Sequence, residues 1–139
     1  MKNRLALVLA LLIAVLCTAN AGAQPAFPSS FKTRTVTLAD GASIFVRSGG
    51  AGPAVVLIHG FGDTGDMWQP LAVVLAKTHT VVVPDLRGMG LSSHPEDGYA
   101  KVAQARDLIA ILDRLQIGEF TLVTHDIGNM VGYATAAQN

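Results

Sequence analysis

From about residue 33 onward, apolar and polar positions are grouped so that elements can be assigned one after another. Residues 33–38 and 43–47 gather β-forming side chains on either side of Asp40-Gly41, which predicts an antiparallel hairpin. The stretch Ser48-Gly49-Gly50-Ala51-Gly52-Pro53 then breaks the pattern. Ala54–Ile58 is apolar without alternation, as expected of a strand covered on both faces, and residues 80–83 and 120–124 repeat that form. Helical patterns lie between them. The first has Asp66 as N-cap, Gln69 as its capping-box partner, Pro70 in the first turn, and Trp68, Leu71 and Leu75 on one face. The second runs over about 101–115 with Val102, Ala105, Leu108, Leu112 and Leu115 at helical spacing and Gly118 as its stop, and a third begins near Gly128. A hairpin followed by alternating buried strands and amphipathic helices predicts an α/β fold with a mostly parallel sheet and flanking helices.

The first residues follow a different pattern. Lys2 and Arg4 precede an unbroken apolar run of 12 residues, Leu5 to Leu16, and Ala21-Gly22-Ala23 offers a small-x-small cleavage site. Residues 1–23 are therefore expected to be a secretory signal peptide cut after Ala23, 24–30 an extended linker, and 31–139 the N-terminal part of a folded domain. A membrane anchor needs roughly 20 apolar residues, and a lipoprotein site at Cys17 would follow Leu16 where a small residue is favoured. The expected location is periplasmic or secreted, with no membrane contact in the mature form. Without Cys17 the mature chain has no cysteine, hence neither a disulfide nor a thiolate metal site.

Charge narrows the partners. Ten basic residues stand against ten acidic ones, and removing Lys2 and Arg4 leaves a net of about −2 with no basic stripe. Nucleic acid is not an expected partner. No His, Asp or Glu spacing suggests a metal, no cofactor motif is present, and the sequence carries no signal for oligomeric state.

Ligands of such sheets bind beyond the carboxyl ends of the strands. Three loops there are distinctive: His59-Gly60-Phe61-Gly62, Asp85-Leu86-Arg87-Gly88-Met89-Gly90-Leu91-Ser92, and Thr124-His125-Asp126-Ile127-Gly128-Asn129. The third has the small-x-nucleophile-x-Gly form, with Asp126 at the position that presents a side chain on a sharp strand-to-helix turn. The other reading of Asp126 is a plain helix N-cap. A carboxylate is ionised at neutral pH and needs no base, so it can displace a leaving group at an sp³ carbon and form an alkyl ester.

In "HGFGDTGDMW", "PDLRGMGLS" and "LVTHDIGNMVGYATAAQ" the chain resembles the α/β-hydrolase family, and within it the aspartate-nucleophile branch of epoxide hydrolases and haloalkane dehalogenases. The resemblance runs from about Phe31 to Asn139, and the "HDIG" form looks most like exported bacterial epoxide hydrolases. It implies Asp126 as nucleophile, backbone N–H groups of Phe61 and Ile127 as the oxyanion hole, and a small apolar epoxide or alkyl halide with water as substrates. His59, Gly60, Thr124 and Gly128 are expected to support the site, His59 by bonding nearby backbone. His125 is expected to point away from it, His79 and His94 to be solvated, Asp85 and Arg87 to brace their loop, and Met67 and Trp68 to line core or pocket. Haloalkane dehalogenases usually carry tryptophan just after the nucleophile, with an asparagine or second tryptophan nearby, and fluoroacetate dehalogenases carry arginine after it. Ile127 and Phe61 supply neither.

Two departures stand out, Gly62 where epoxide hydrolases have proline and Thr124 where glycine is usual. In the family the acid and histidine follow the nucleophile, and a lid carries the proton donors, so the chain is expected to be truncated after the nucleophile-turn helix. A haloalkane dehalogenase and a non-catalytic remnant or binding module remain as other readings.

Overall fold

The computed structural model describes residues 26–138. The expected signal peptide lies outside the described residues, as does the start of the linker. The remainder of that linker is not a free arm. Phe31 N–H closes a turn on Pro28 O, and the Phe27 ring stands edge-on to Phe31 at 4.9 Å.

Five strands form one sheet: β1 (Lys32–Thr37), β2 (Ser43–Gly49), β3 (Ala54–Ile58), β4 (Thr80–Pro84) and β5 (Phe120–Thr124). Their order is β1-β2-β4-β3-β5. β2 pairs antiparallel with β1 and β4, whereas β4, β3 and β5 are parallel. The β1–β2 hairpin turns at Gly41, where φ is +87° and the Asp40 carboxylate accepts from Ala42 N–H.

Side chains of the central strands alternate between two cores, which explains their lack of polar alternation. Val56, Ile58 and Val82 enter one core with Leu108, Ile111, Leu112 and Val131. Val55, Leu57, Val81 and Val83 enter the other with Ala72 and Phe31. Helix α1 (Gln69–Leu75) therefore covers one face, and α2 (Lys101–Arg114) with α3 (Ile127–Ala136) the other. β5 is an edge strand and only half-buried, because among the described residues nothing pairs beyond it.

Three helix details differ from the sequence expectation. A 3₁₀ turn, Gly65–Trp68, precedes α1, and Thr64 rather than Asp66 caps it. Asp66 is instead drawn into an ion pair with Arg47 at 2.9 Å. This tight start rotates α1 so that Ala72 is buried and Leu71 exposed. Val102 is also exposed, because α2 turns Gln104, Ala105, Leu108, Ile111 and Leu112 inward. The stop of α2 is Gln116, not Gly118. At φ +59° Gln116 takes the left-handed position, its N–H reaching Asp113 O and that of Ile117 reaching Leu112 O. These two bonds make the Schellman closure.

Candidate active site

The three loops meet at the carboxyl ends of β3, β4 and β5. Asp126 sits between β5 and α3 with φ +51° and ψ −121°, a conformation uncommon for a residue with a Cβ. The turn demands small neighbours. A Cβ on Gly128 would lie 2.7 Å from Ile58 O, and one on Gly60 would lie 2.8 Å from the Asp126 Cβ.

The helix-cap reading of Asp126 fails on its partners. N–H groups at the start of α3 are already used, Gly128 donating to His125 O and Asn129 to Asp126 O, and the Asp126 side chain makes no cap bond. Its Oδ1 instead accepts from Phe61 N–H at 2.9 Å. That bond first, and a second from Ile127 N–H, hold the carboxyl below its ordinary 3.8. Partial desolvation opposes them, and the nearby His125 adds a smaller lowering. The exposed Asp126 side chain is thus an ionised carboxylate whose Oδ1 accepts from the Phe61 N–H.

His125 does not point away. The positive φ at Asp126 ends strand alternation there, and the His125 ring lies beside Gly60, its Nδ1 3.9 Å from Asp63 Oδ2. His59 supports the site from beneath. Fully buried, it holds Gly60 O through Nδ1 at 2.8 Å and accepts from Leu86 N–H through Nε2 at 2.9 Å. Accepting at Nε2 places the proton on Nδ1, and burial lowers its affinity for a second one. The ring is neutral and links two loops.

Asp85 is the deeper brace. It is fully buried, and its Oδ1 accepts from Arg47 Nη1 at 2.7 Å and Gly65 N–H at 2.8 Å, while Oδ2 accepts from Leu91 N–H at 2.9 Å. Arg87 likewise ties Asp107 on α2 to Asp40 in the hairpin turn, at 2.8 and 2.7 Å. Arg47 had no local sequence signal, since its partner Asp85 lies 38 residues away. Its guanidinium stacks 4.7 Å from the Phe45 ring centre, so this charged residue is 5% exposed yet fully accompanied.

Both departures have local explanations. Gly62 takes φ +76°, which proline cannot adopt, so the loop after β3 follows a path of its own here. Thr124 donates through Oγ1 to Asn129 Oδ1 at 2.6 Å, and its methyl occupies space where a Cβ on Gly132 would lie 2.8 Å away. Its extra bulk fits because α3 has glycine opposite. Among the described residues no group of His, Cys, Asp and Glu could hold a metal ion, and no helix is long and apolar enough to cross a membrane.

A sheet of this order with a sharp strand-to-helix turn after β5 has the form of an α/β hydrolase. Residues 53–139 match the family model described as the alpha/beta hydrolase fold, and the chain belongs to that family. It is 40% identical over 92 residues to an epoxide hydrolase of Caballeronia sordidicola, covering 64% of this chain and 28% of that one. It is 39% identical over 111 residues to a fluoroacetate dehalogenase of a Burkholderia species, covering 76% and 36%. A crystal structure of an epoxide hydrolase from Vigna radiata superposes with a TM-score of 0.73 at 32% identity, covering 78% of this chain and 36% of the other. Such coverage means that the chain spans about a third of the length of these relatives.

Proposed function

We propose that this chain carries the nucleophile half of an exported hydrolase that opens epoxides through an alkyl ester on Asp126. The observation that carries the reading is the single hydrogen bond from Phe61 N–H to Asp126 Oδ1. In ester chemistry the oxyanion forms on the Asp126 carboxyl itself, so a pre-set N–H donor on one of its oxygens is what the second step requires. Oδ2 is left as the attacking oxygen. Small apolar epoxides suit the site because neither residue of the proposed oxyanion hole adds a side-chain donor: Ile127 is apolar and half-buried, and Phe61 presents an exposed ring.

Haloalkane dehalogenation is the second reading, favoured by the dehalogenase relative and opposed by the lack of a side-chain donor at Ile127 and Phe61. Water delivery to the ester belongs to a histidine–acid pair that the resemblance places later in the family's order.

One experiment separates the cases. The complete gene product is given a stoichiometric amount of a terminal epoxide in ¹⁸O-water, and the diol is analysed after a single turnover. An unlabelled diol, with label in the Asp126 peptide, is the expected result. A diol labelled in the first turnover makes water the attacking group and removes Asp126 from the nucleophile's role. Release of halide from a chloroalkane, with no diol from any epoxide, would favour the second reading. Export is tested apart from chemistry, by mass spectrometry of the secreted protein, which should begin at Gln24 or Gly22.

A further inference from the structure

At the end of the sheet opposite Asp126, the C-terminus of α2 stops short of the strands and leaves a cleft of about 380 Å³. Arg34 of β1 and Arg114 of α2 stand on its rim, Ser48 and Thr80 contribute hydroxyls, and Gln116 contributes an amide over the buried Val82. None of the lining residues is acidic. Among the described residues neither guanidinium has an ion-pair or hydrogen-bond partner, in contrast to Arg47 and Arg87, each of which pairs with two carboxylates. Residues 1–25 contain no Asp or Glu, so the N-terminal segment supplies no carboxylate either.

The loop that forms the wall has an unusual choice of residue. At its αL position, where glycine is the ordinary occupant, stands Gln116, while Gly118 two residues later does not use positive φ. The closure retains a polar side chain that lines the cleft. It also satisfies the Asp113 and Leu112 carbonyls, which reduces the negative helix end that would otherwise repel an anion.

We propose that this cleft binds a phosphate group, held by Arg34 and Arg114 and hydrogen-bonded by the hydroxyls of Ser48 and Thr80. Two guanidiniums on separate elements suit a tetrahedral dianion better than a single carboxylate, because each can donate a forked pair to different oxygens. The phosphate could come from a soluble phosphomonoester or from a lipid headgroup.

The test is titration of the purified protein with inorganic phosphate at fixed ionic strength, following the Arg Nε–H signals by NMR. Saturable shifts of Arg34 and Arg114 are expected, and Arg34→Gln or Arg114→Gln should each weaken binding by about tenfold. Arg106→Gln, on the exposed side of α2 away from the cleft, should leave it unchanged. Glycerol phosphate and phosphatidic acid vesicles, both monoesters, then distinguish the sources: the one that binds in a manner lost in Arg34→Gln and Arg114→Gln is the source. Absence of saturation, loss of binding on added chloride alone, or equal weakening by Arg106→Gln would overturn the proposal.

Discussion

Asp85→Ala should be the most damaging single substitution in the loops around the site, although Asp85 touches no substrate position. The change removes three acceptor contacts at once, from Arg47, Gly65 N–H and Leu91 N–H. Breaking a buried ion pair by deleting one partner costs about 3–5 kcal/mol. Leaving buried N–H groups without acceptors adds about 1–3 kcal/mol each when they cannot reach water. The contributions share one network and do not add fully, and Arg47 keeps Asp66 at 2.9 Å, so about 4 kcal/mol is the expected loss. That is a large share of the roughly 5–15 kcal/mol that holds a domain folded. Urea unfolding followed by the fluorescence of the single tryptophan, Trp68, reads the change. With a slope of about 1–3 kcal/mol per molar, the midpoint should fall by more than about 1 M. Asp85→Asn keeps acceptor capacity and should cost less. Asp66→Ala, whose carboxylate is 39% exposed, should cost under about 1 kcal/mol. A midpoint unchanged in Asp85→Ala, or moved equally by Asp66→Ala, would show that the three loops are held by something other than this carboxylate.

Gly132→Ala should destabilise by about 1–3 kcal/mol because its methyl meets Thr124; Thr124→Ser should recover part of that loss, and additive effects in the double mutant would refute the contact. Gly62→Pro should loosen the loop after β3 rather than restore the family pattern, since φ +76° is closed to proline; broader Phe61 and Asp63 amide signals would report it, and a sharper, more stable loop would contradict it. Titration of the Asp126 carboxyl by ¹³C NMR should give a midpoint below 3.8, with the Phe61 N–H as the main cause. Its folded value is depressed, so its contribution to stability is present above 3.8 and lost as pH falls through the folded value; a midpoint at or above 3.8 would show that the two N–H groups do not hold it.

Much of this architecture is legible in the chain because local pattern and tertiary role coincide. Ala54–Ile58 and its parallel partners are apolar on both faces since each face meets its own core. The sharp turn between β5 and α3 could be read from Asp126 and Gly128, because only small residues fit where strand and helix backbones come within contact. Partners distant in sequence were not legible. Arg47 looks like one polar position of an alternating strand until Asp85 is placed beside it. The start of α1 was misplaced because Asp66 and Gln69 satisfy a capping pattern, while a tertiary ion pair with Arg47 claims the same carboxylate. Strand alternation does not extend to His125, because β5 ends at Thr124 and the turn re-aims the two residues that follow.

With Asp126 as the proposed nucleophile, the tie between Phe61 N–H and one of its oxygens would give the two carboxyl oxygens different fates. If Oδ1 stays pinned through the ester and its hydrolysis, only the other oxygen leaves with product, and water replaces only that one. The side chain would then keep a permanent record of its first oxygen. After many turnovers in ¹⁸O-water, the peptide bearing Asp126 would be heavier by one label and would stop there. A carboxylate free to spin about its bond would go on to exchange both. The isotopic plateau of a single residue therefore reports how firmly a backbone amide 65 residues away in sequence holds it during catalysis.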